Sequence, residues 1–508
     1  MFAAATGLSR LLGLVREIVA ANYFGARGPI NAFTVAFQIP NLIRALVADA
    51  ALSSAFVPVF SELLEKGERA RAWRVASTVF WLFLLVVGGL TALFILAAPI
   101  LIPPLTDAYD DLAVTLSQIL FPIVVLIGLF GIVTGILNSY DQFTIPALTP
   151  VFWNLAIIVG LVVGVPRADT VDAKLYVYAG SIVVGTLIQF LLPLPWLRGL
   201  DGRLRLVLDI RDPAVRQVFK LMVPVMLGLG LINVNAVIGT VVAATWIDAT
   251  IAPNAIDKAF RVYMLPQGMF SVAVATVLYP SLARLATRGD MDGFRDTVTR
   301  GLRQINFLLL PAAAASIVLA EPVIRLLYER GAFDSDETTI VAQCLAAFSI
   351  GLAFNGMMLM LNRAFFSLQQ PWVPTAIALV NLVLNLVLYA AFARLGAWGI
   401  PLAISLANFA GVAMLALTLR RRIGSLHLVG TVKAFLRALL ASAVLAAVAY
   451  GVWRGLDELL GRSTLGQLVS VTAALVVGGA AYLGAAWLLR IRELSAVLSL
   501  RRSRSGGD

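Results

Sequence analysis

Residues 9–62 read SRLLGLVREIVAANYFGARGPINAFTVAFQIPNLIRALVADAALSSAFVPVFSE, and this stretch decides the fold. It contains two apolar segments long enough to cross a membrane, which takes about 20 mostly apolar residues per helix. Arg16 lies near the middle of the first segment and Arg44 near the middle of the second. Charges at that depth face a protein interior or a water-filled cavity. Two interpretations stay open: an internal ion pair with Asp49 or Glu17, or a cationic cavity for an anionic substrate.

Composition extends this interpretation to the whole chain. Of 508 residues, 60% are hydrophobic and 13% are charged, and the mean hydropathy is +0.91. Soluble domains are about 25% charged, so the sequence predicts a polytopic membrane protein. The single cysteine, Cys344, excludes a disulfide within the chain and argues against a thiolate metal site. The single histidine, His427, lies in a basic loop, where we expect it to be solvated. With one cysteine and one histidine as candidate ligands of this kind, we expect no metal site, and we predict no cofactor. The charges at Arg10, Arg16 and Glu17 argue against a cleaved signal peptide.

Apolar length and flanking charge predict about fourteen transmembrane helices. They fall near 3–24, 30–60, 75–103, 112–138, 145–165, 174–197, 215–245, 255–283, 303–327, 338–368, 371–393, 397–419, 431–453 and 465–489. Arginine-rich loops follow the second, sixth, eighth and twelfth of these helices, and acidic or nearly neutral loops lie between them. The positive-inside rule then places both termini in the cytoplasm. The net charge of +11 is therefore mainly a topology signal, and we expect no nucleic-acid partner.

An internal repeat indicates two lobes. Landmarks in the first half recur about 225 residues later in the same order, a spacing of six predicted helices. The pairs are Ala36-Phe37 with Ala259-Phe260, Val57-Pro58 with Tyr279-Pro280, Asn138 with Asn362, Pro146 with Pro371, Pro150 with Pro374, and Asn154 with Asn381. An even number of spans preserves orientation, so the copies are parallel repeats. The predicted fold class is all-α, with two parallel six-helix lobes around a central cavity plus two extra C-terminal helices.

The predicted domains follow from the repeat. They are an N-terminal lobe at 1–200, a C-terminal lobe at 201–425, helices 13 and 14 at 426–490 and a basic cytoplasmic tail at 491–508. The two extra helices lie outside the repeat, and their small residues would allow either close packing or a shallow groove. The groove would suit a long lipid tail, and the alternative is that the pair only anchors the second lobe. The tail carries Arg501, Arg502 and Arg504, which either contact anionic lipid or stay solvated.

Polar residues inside the second half are the other candidates. Arg261 lies within the eighth predicted helix, close to Pro266. Four asparagines occur in the seventh and eleventh predicted helices: Asn233, Asn235, Asn381 and Asn385. We interpret them first as interhelical hydrogen-bonding residues, with a sodium site as the alternative. A Walker motif is absent from the sequence, so ATP is not the predicted direct energy source.

Several motifs together resemble the MurJ/MviN family. They are SRLLGLVRE, the FGA at 24–26, NAFTVAFQIPNLIR, the AFVPVFSE that ends at Glu62, ILNSYDQFTIPALTP at 136–150 and LYERGAF at 327–333. The family comprises lipid II flippases of bacterial cell-wall synthesis, within the multidrug/oligosaccharidyl-lipid/polysaccharide exporter superfamily. The similarity runs along essentially the whole chain.

The resemblance implies a fold of fourteen helices and a set of substrate-binding residues. By resemblance those residues are Arg10, Arg16, Arg44 and Arg261. We add Asp49, Asn31 and Gln38 of the same N-terminal stretch as candidate substrate-binding residues. Some positions depart from the family pattern. Asn31 stands where an aspartate is usual, Gln38 where a lysine can occur, and Gln370 where an aspartate is common. Asn385 stands where sodium-coupled members use an aspartate, which argues against a sodium site here.

The implied function is export of lipid II from the inner to the outer leaflet of the bacterial cytoplasmic membrane by alternating access. The implied partners are lipid II, membrane lipids and cell-wall synthesis proteins, and we expect a monomer. The alternative is a related transporter for another polyprenyl-linked oligosaccharide or for drugs. An enzyme is not predicted, because Asp49 is the one strongly central carboxylate and has arginines available as partners.

Overall fold

The computed structural model describes residues 2–44, 53–424 and 428–494. In these ranges every regular element is a helix, as the sequence predicts. Contacts divide the chain into two compact units. Unit 1 comprises Met1–Asn254 and Arg330–Phe333, and unit 2 comprises Ala255–Glu329 and Asp334–Asp508. The predicted lobe boundary at 200 rests on the repeat and not on contacts, and it stays a prediction.

The first nine helices belong to unit 1. They are α1 Phe2–Phe24, α2 Ile30–Arg44, α3 Ser53–Glu65, α4 Arg69–Leu101, α5 Asp110–Leu120, α6 Pro122–Ser139, α7 Thr144–Val159, α8 Val171–Leu191 and α9 Pro213–Val242. Two apolar cores hold them together. One forms mainly between α3, α4 and α6 and contains Phe56, Phe60 and Trp73. The other forms between α1, α2, α5, α7 and α8, where Phe33 stacks on Tyr178 with ring centroids 4.5 Å apart.

The helix α10 (Ala252–Pro266) crosses the boundary, and the remaining helices belong to unit 2. These are α11 Val272–Arg288, α12 Met291–Val318, α13 Ala320–Tyr328, α14 Ser335–Ile350, α15 Leu352–Ser367, α16 Trp372–Phe392, α17 Gly399–Ile423, α18 Leu428–Leu460 and α19 Thr464–Leu488. The α18–α19 pair packs on α12, where the Tyr482 hydroxyl donates to the Phe307 carbonyl at 2.6 Å. In the described part of the chain, three short π-helical turns occur, at Gly160–Gly164, Ala243–Ile247 and Gln267–Ser271.

Among the described residues, ten helical segments are long and apolar enough to cross a membrane, or eleven with the bent pair α14–α15. Their outward faces are apolar: on α4, Leu93, Leu96 and Ile100 are 62%, 78% and 77% exposed. Water would penalise such a surface and lipid would not. The chain is therefore a multi-pass membrane protein. The predicted total of fourteen spans is not established by these criteria, and α1 with its three charged residues is one helix outside the set.

The predicted span 338–368 is bent by 43° where α14 meets α15. The Ser405 hydroxyl of α17 donates to the Ala347 carbonyl at 2.7 Å. The Gly351 amide bonds to Phe348 instead, one residue short of the α-helical acceptor. A Cβ at Gly351 would lie 2.6 Å from the Ser405 Oγ, so only glycine permits this approach. A side chain inserted into the helical hydrogen-bond ladder thus accounts for the bend.

Candidate functional site

Arg16 of α1 is buried in unit 1, with 9% of its surface exposed. Its Nη2 and Nε atoms donate to Glu17 Oε1 at 2.6 and 3.2 Å. Its Nη1 donates to Asn154 Oδ1 at 3.2 Å. The guanidinium carbon lies 4.7 Å from the centroid of the Trp153 ring, within cation–π range. Of the two interpretations left open by the sequence, the internal ion pair with Glu17 is thus present, and a substrate role for Arg16 stays a hypothesis.

The partners of Arg16 are held in place by α7. The Asn154 Nδ2 donates to the carbonyls of Pro150 and Ser9, at 2.9 and 3.3 Å. This fixes the side-chain amide between α7 and α1 and leaves its oxygen for the guanidinium. Gly13 of α1 lies next to this amide, since a Cβ there would be in ordinary contact with Asn154 Oδ1, at 3.8 Å. Asn154 was noted in the sequence only as a repeat landmark, and its distance of 138 residues from Arg16 concealed the contact.

Asn31 has a structural role at the start of α2. Its Nδ2 donates to the carbonyls of Ala26, Gly28 and Thr250 at 2.9, 3.1 and 2.6 Å. Its Oδ1 accepts from the Asn254 amide at 2.9 Å, and 1% of the residue is exposed. All of these groups belong to unit 1. The side chain is fully engaged, so packing accounts for Asn31 without a substrate.

The remaining predicted residues of the first two helices differ in their surroundings. Arg10 is exposed on α1 and Gln38 is half-buried on α2. Arg44 is the last residue of α2, but its side chain is outside the described part of the structure. Asp49 also lies outside the described residues, so its pairing with an arginine is untested.

Arg261 belongs to unit 2 and is paired. Its Nε donates to Asp257 Oδ2 at 2.8 Å, one turn earlier on α10, and both side chains are partly exposed. Sequence reasoning missed Lys258, which is 3% exposed and whose Nζ lies 5.1 Å from the centroid of the Tyr328 ring. The signal was there: Asp257, Lys258 and Arg261 occur together in an otherwise apolar helix. Of the candidate arginines from the sequence, Arg16 and Arg261 thus have carboxylate partners.

The asparagines of the eleventh predicted helix share one buried face of α16. Asn381 and Asn385 are 8% and 5% exposed. Among the described atoms, neither Oδ1 has a hydrogen-bond partner. The Asn381 Nδ2 lies 3.8 Å from the Met358 sulfur. Asn233 and Asn235 lie half-buried in α9 of unit 1 and take part in other interactions. The described ranges hold no group of three or more histidine, cysteine, aspartate or glutamate residues suited to a metal ion.

The helical fold, the apolar spans and the charges inside them define a multi-spanning membrane protein of the transporter type. A structure of an inward-facing MATE family transporter of the MOP superfamily has this fold, with a TM-score of 0.69 and 17% identity over 82% of this chain and 95% of that one. A structure described as lipid II flippase MurJ, inward closed conformation, is more similar. Its TM-score is 0.79 at 26% identity, over 96% of this chain and 98% of that one.

The chain belongs to the MurJ family. The family model described as "Lipid II flippase MurJ" matches residues 20–469. The lipid II flippase MurJ of Burkholderia cenocepacia is 30% identical over 504 residues, which cover 95% of each chain. The probable lipid II flippase MurJ of Vibrio cholerae is 31% identical over 509 residues, 96% of this chain and 95% of that protein. The resemblance seen in the sequence motifs is confirmed.

Proposed function

We propose that this protein is a lipid II flippase of the bacterial cytoplasmic membrane. The observation that carries the proposal is the family match over residues 20–469, supported by relatives of the same length that bear this name. Lipid II joins a sugar-peptide headgroup to an isoprenoid tail through a pyrophosphate. Such a headgroup cannot cross hydrocarbon unaided, because its polar groups would lose their hydrogen bonds.

The chemistry of the arginines supports binding of the pyrophosphate. Guanidinium groups donate paired hydrogen bonds that match phosphate oxygens. The contacts of Arg16 with Glu17 and Asn154 employ three of its five N–H groups, so the side chain is oriented with donors to spare. We assign the pyrophosphate to Arg10, Arg16, Arg44 and Arg261. Asp49 and Gln38 are proposed as auxiliary contacts.

The transport cycle that we propose is alternating access, with the substrate taken from the cytoplasmic leaflet and released to the outer leaflet. The basic loops put both termini in the cytoplasm. Catalysis is not part of the proposal, and the protein acts as a monomer. The membrane potential is a candidate driving force, at about 2.3 kcal/mol per charge per 100 mV.

Complementation tests the function. The intact protein should restore growth and lipid II export to a bacterium depleted of its own lipid II flippase. Failure despite normal membrane insertion would refute the proposal. It would favour a transporter of another polyprenyl-linked oligosaccharide or of drugs.

The same assay tests the arginines, with a control for stability. Arg16→Ala should reduce transport, but it also leaves Glu17 buried without its cation, which costs about 3–5 kcal/mol. The double variant Arg16→Ala/Glu17→Gln removes both charges and should recover protein levels without recovering transport. Arg44→Ala and Arg261→Ala should also lose transport, and lysine should substitute only partly. Pyrophosphate binding by these residues would be refuted if transport were normal in all three variants: the double variant, Arg44→Ala and Arg261→Ala.

A further inference from the structure

Residues 200–212, here called the strap, form a non-helical segment that lies along the first turns of α4. Side chains of α4 hold the strap by its backbone. The Arg205 amide donates to Ser77 Oγ at 3.0 Å, and the Asp209 amide donates to Thr78 Oγ1 at 3.1 Å. The indole of Trp81 donates to the Arg205 carbonyl at 2.9 Å. The strap is therefore a fixed part of unit 1.

Both ends of the strap are clipped by ion pairs. Asp201 lies 2.9 Å from Arg69. Asp212 accepts two hydrogen bonds from Arg71, at 3.0 and 2.9 Å, and a third from the Ala214 amide at the start of α9. The Arg71 hydrogen bond holds the pKa of the Asp212 carboxyl below its usual range. Gly202 lets the strap lie flat, because a Cβ there would come within 2.2 Å of the Trp73 ring.

The outer face of the strap is both apolar and basic. Leu206, Leu208 and Ile210 occupy alternate positions in the sequence of the strap and are 78%, 47% and 54% exposed. Arg203, Arg205 and Arg211 are exposed between and beside them. Two of the three aspartates of the strap are neutralised by the clips to Arg69 and Arg71. Arginine therefore dominates the charge on the outer face.

The strap starts after the end of α8 and finishes at α9, and it lies against the beginning of α4. Since α4 and α8 are membrane-spanning helices, this placement puts the strap at the edge of the bilayer. Trp81 bonds to the strap, and Trp196, 42% exposed, belongs to the 3₁₀ turn directly before it. Tryptophan is enriched at the membrane–water interface. Exposed apolar side chains interleaved with arginines are typical of segments that lie in the interface of anionic membranes.

We propose that the strap is a binding site for anionic lipid headgroups. Leu206, Leu208 and Ile210 insert at headgroup depth, and the arginines contact the phosphates. The occupant is the bilayer surface and not a protein, because the apolar side chains lie where a spanning helix ends and the exposed cations complement acidic lipids.

Fluorescence in lipid nanodiscs tests this. The fluorophore NBD is attached to Leu208→Cys or Ile210→Cys in a Cys344→Ala background. The matched control is Arg288→Cys, at the exposed last residue of α11. The discs contain phosphatidylcholine alone or mixed with phosphatidylglycerol, with a quencher near the headgroup.

The strap labels should emit at shorter wavelength than the control and be quenched at least about twofold more with phosphatidylglycerol. The triple variant Arg203→Gln/Arg205→Gln/Arg211→Gln should abolish that difference.

Three results would overturn the proposal. One is strap labels that match the control label at residue 288. Another is equal quenching in neutral and acidic discs. The third is shielding in native membranes that disappears in nanodiscs of the same lipids, which would point to a protein occupant.

Discussion

Asn31 shows how one side chain can join distant parts of unit 1. Removing its amide leaves the Asn254 N–H without its acceptor, in a site where 1% of Asn31 is exposed. An unsatisfied buried polar group costs about 1–3 kcal/mol. We expect Asn31→Ala to lower the free energy of unfolding by about 2 kcal/mol, measured as a shift in thermal unfolding in detergent.

Gln38→Ala is the matched stability control, because Gln38 is half-buried on the same helix. Its effect on stability should stay within about 0.5 kcal/mol. Unchanged stability of Asn31→Ala together with lost transport would contradict a structural role and return Asn31 to the substrate site.

At the residue scale, the sequence revealed the charges inside apolar helices and one partner, Glu17, but not the other contacts of these arginines. Arg16 and Arg261 were recognisable because an arginine in an apolar helix is rare. Asp257 precedes Arg261 by four residues, a spacing at which side chains on a helix meet. Glu17 directly follows Arg16, so helical spacing does not reveal that pair. Asn154 and Trp153 belong to another helix, and only the packing of α1 against α7 brings them to Arg16. Long-range contacts of this kind leave no periodic signal.

At the scale of the element, α18 and α19 offer a controlled test of the proposed lipid-tail groove. Gly478 faces α18, and a Cβ there would lie 2.9 Å from the Cβ of Ala449. A Cβ at Gly479 would meet nothing within 4 Å. Gly479 is flanked on its face of the helix by exposed Val476 and Leu483. Substitutions at these two adjacent glycines can therefore distinguish an effect on helix packing, at Gly478, from an effect on the proposed groove, at Gly479.

We expect Gly479→Trp to leave stability unchanged and to impair transport of a long-tailed substrate while sparing a short-tailed analogue. Gly478→Trp should instead loosen the helix pair and reduce protein levels, because overpacking costs about 1–3 kcal/mol. Transport assays with both substrates and thermal unfolding measure these effects. If Gly479→Trp transports both substrates normally, the pair serves only as an anchor.

Helix positions were predictable from apolar length, but bends were not. Within the described residues, which leave out 45–52 of the second predicted span, each predicted span overlaps one α-helix or two consecutive ones. The bend at Gly351 depends on Ser405, which is far along the chain and whose hydroxyl takes the Ala347 carbonyl. Helix propensity depends on each residue and its neighbours in sequence. It therefore cannot predict a bend that is caused by a side chain from another helix.

At the scale of the whole molecule, the asparagines bear on energy coupling. Asn381 and Asn385 present buried oxygens without a carboxylate between them. Hard cations favour oxygen sites in which carboxylates supply charge. We expect transport in reconstituted vesicles to persist when potassium or choline replaces sodium, with the rate of lipid II movement as the measurement. A strict sodium requirement would contradict this prediction.

The architecture of the whole molecule was only partly predictable. Composition established a helical membrane protein, and the structural matches confirm that fold. The internal repeat divides the sequence where its second copy begins. The compact units are instead defined by contacts, and α9 belongs to unit 1 because it packs on α2 and α3. The two criteria divide the chain at different places for that reason.

The π-helical turns have a consequence for how the chain can change in length. An i→i+5 hydrogen bond encloses one residue more than an α-helical bond. Deleting one residue from Gln267–Ser271 would return that turn to α-helical geometry and leave α11 presenting the same face. The same deletion inside the uninterrupted helix α12 would rotate everything beyond it by about 100°. The π turn at Gln267–Ser271 is thus a place where this span can lose one residue and keep its packing.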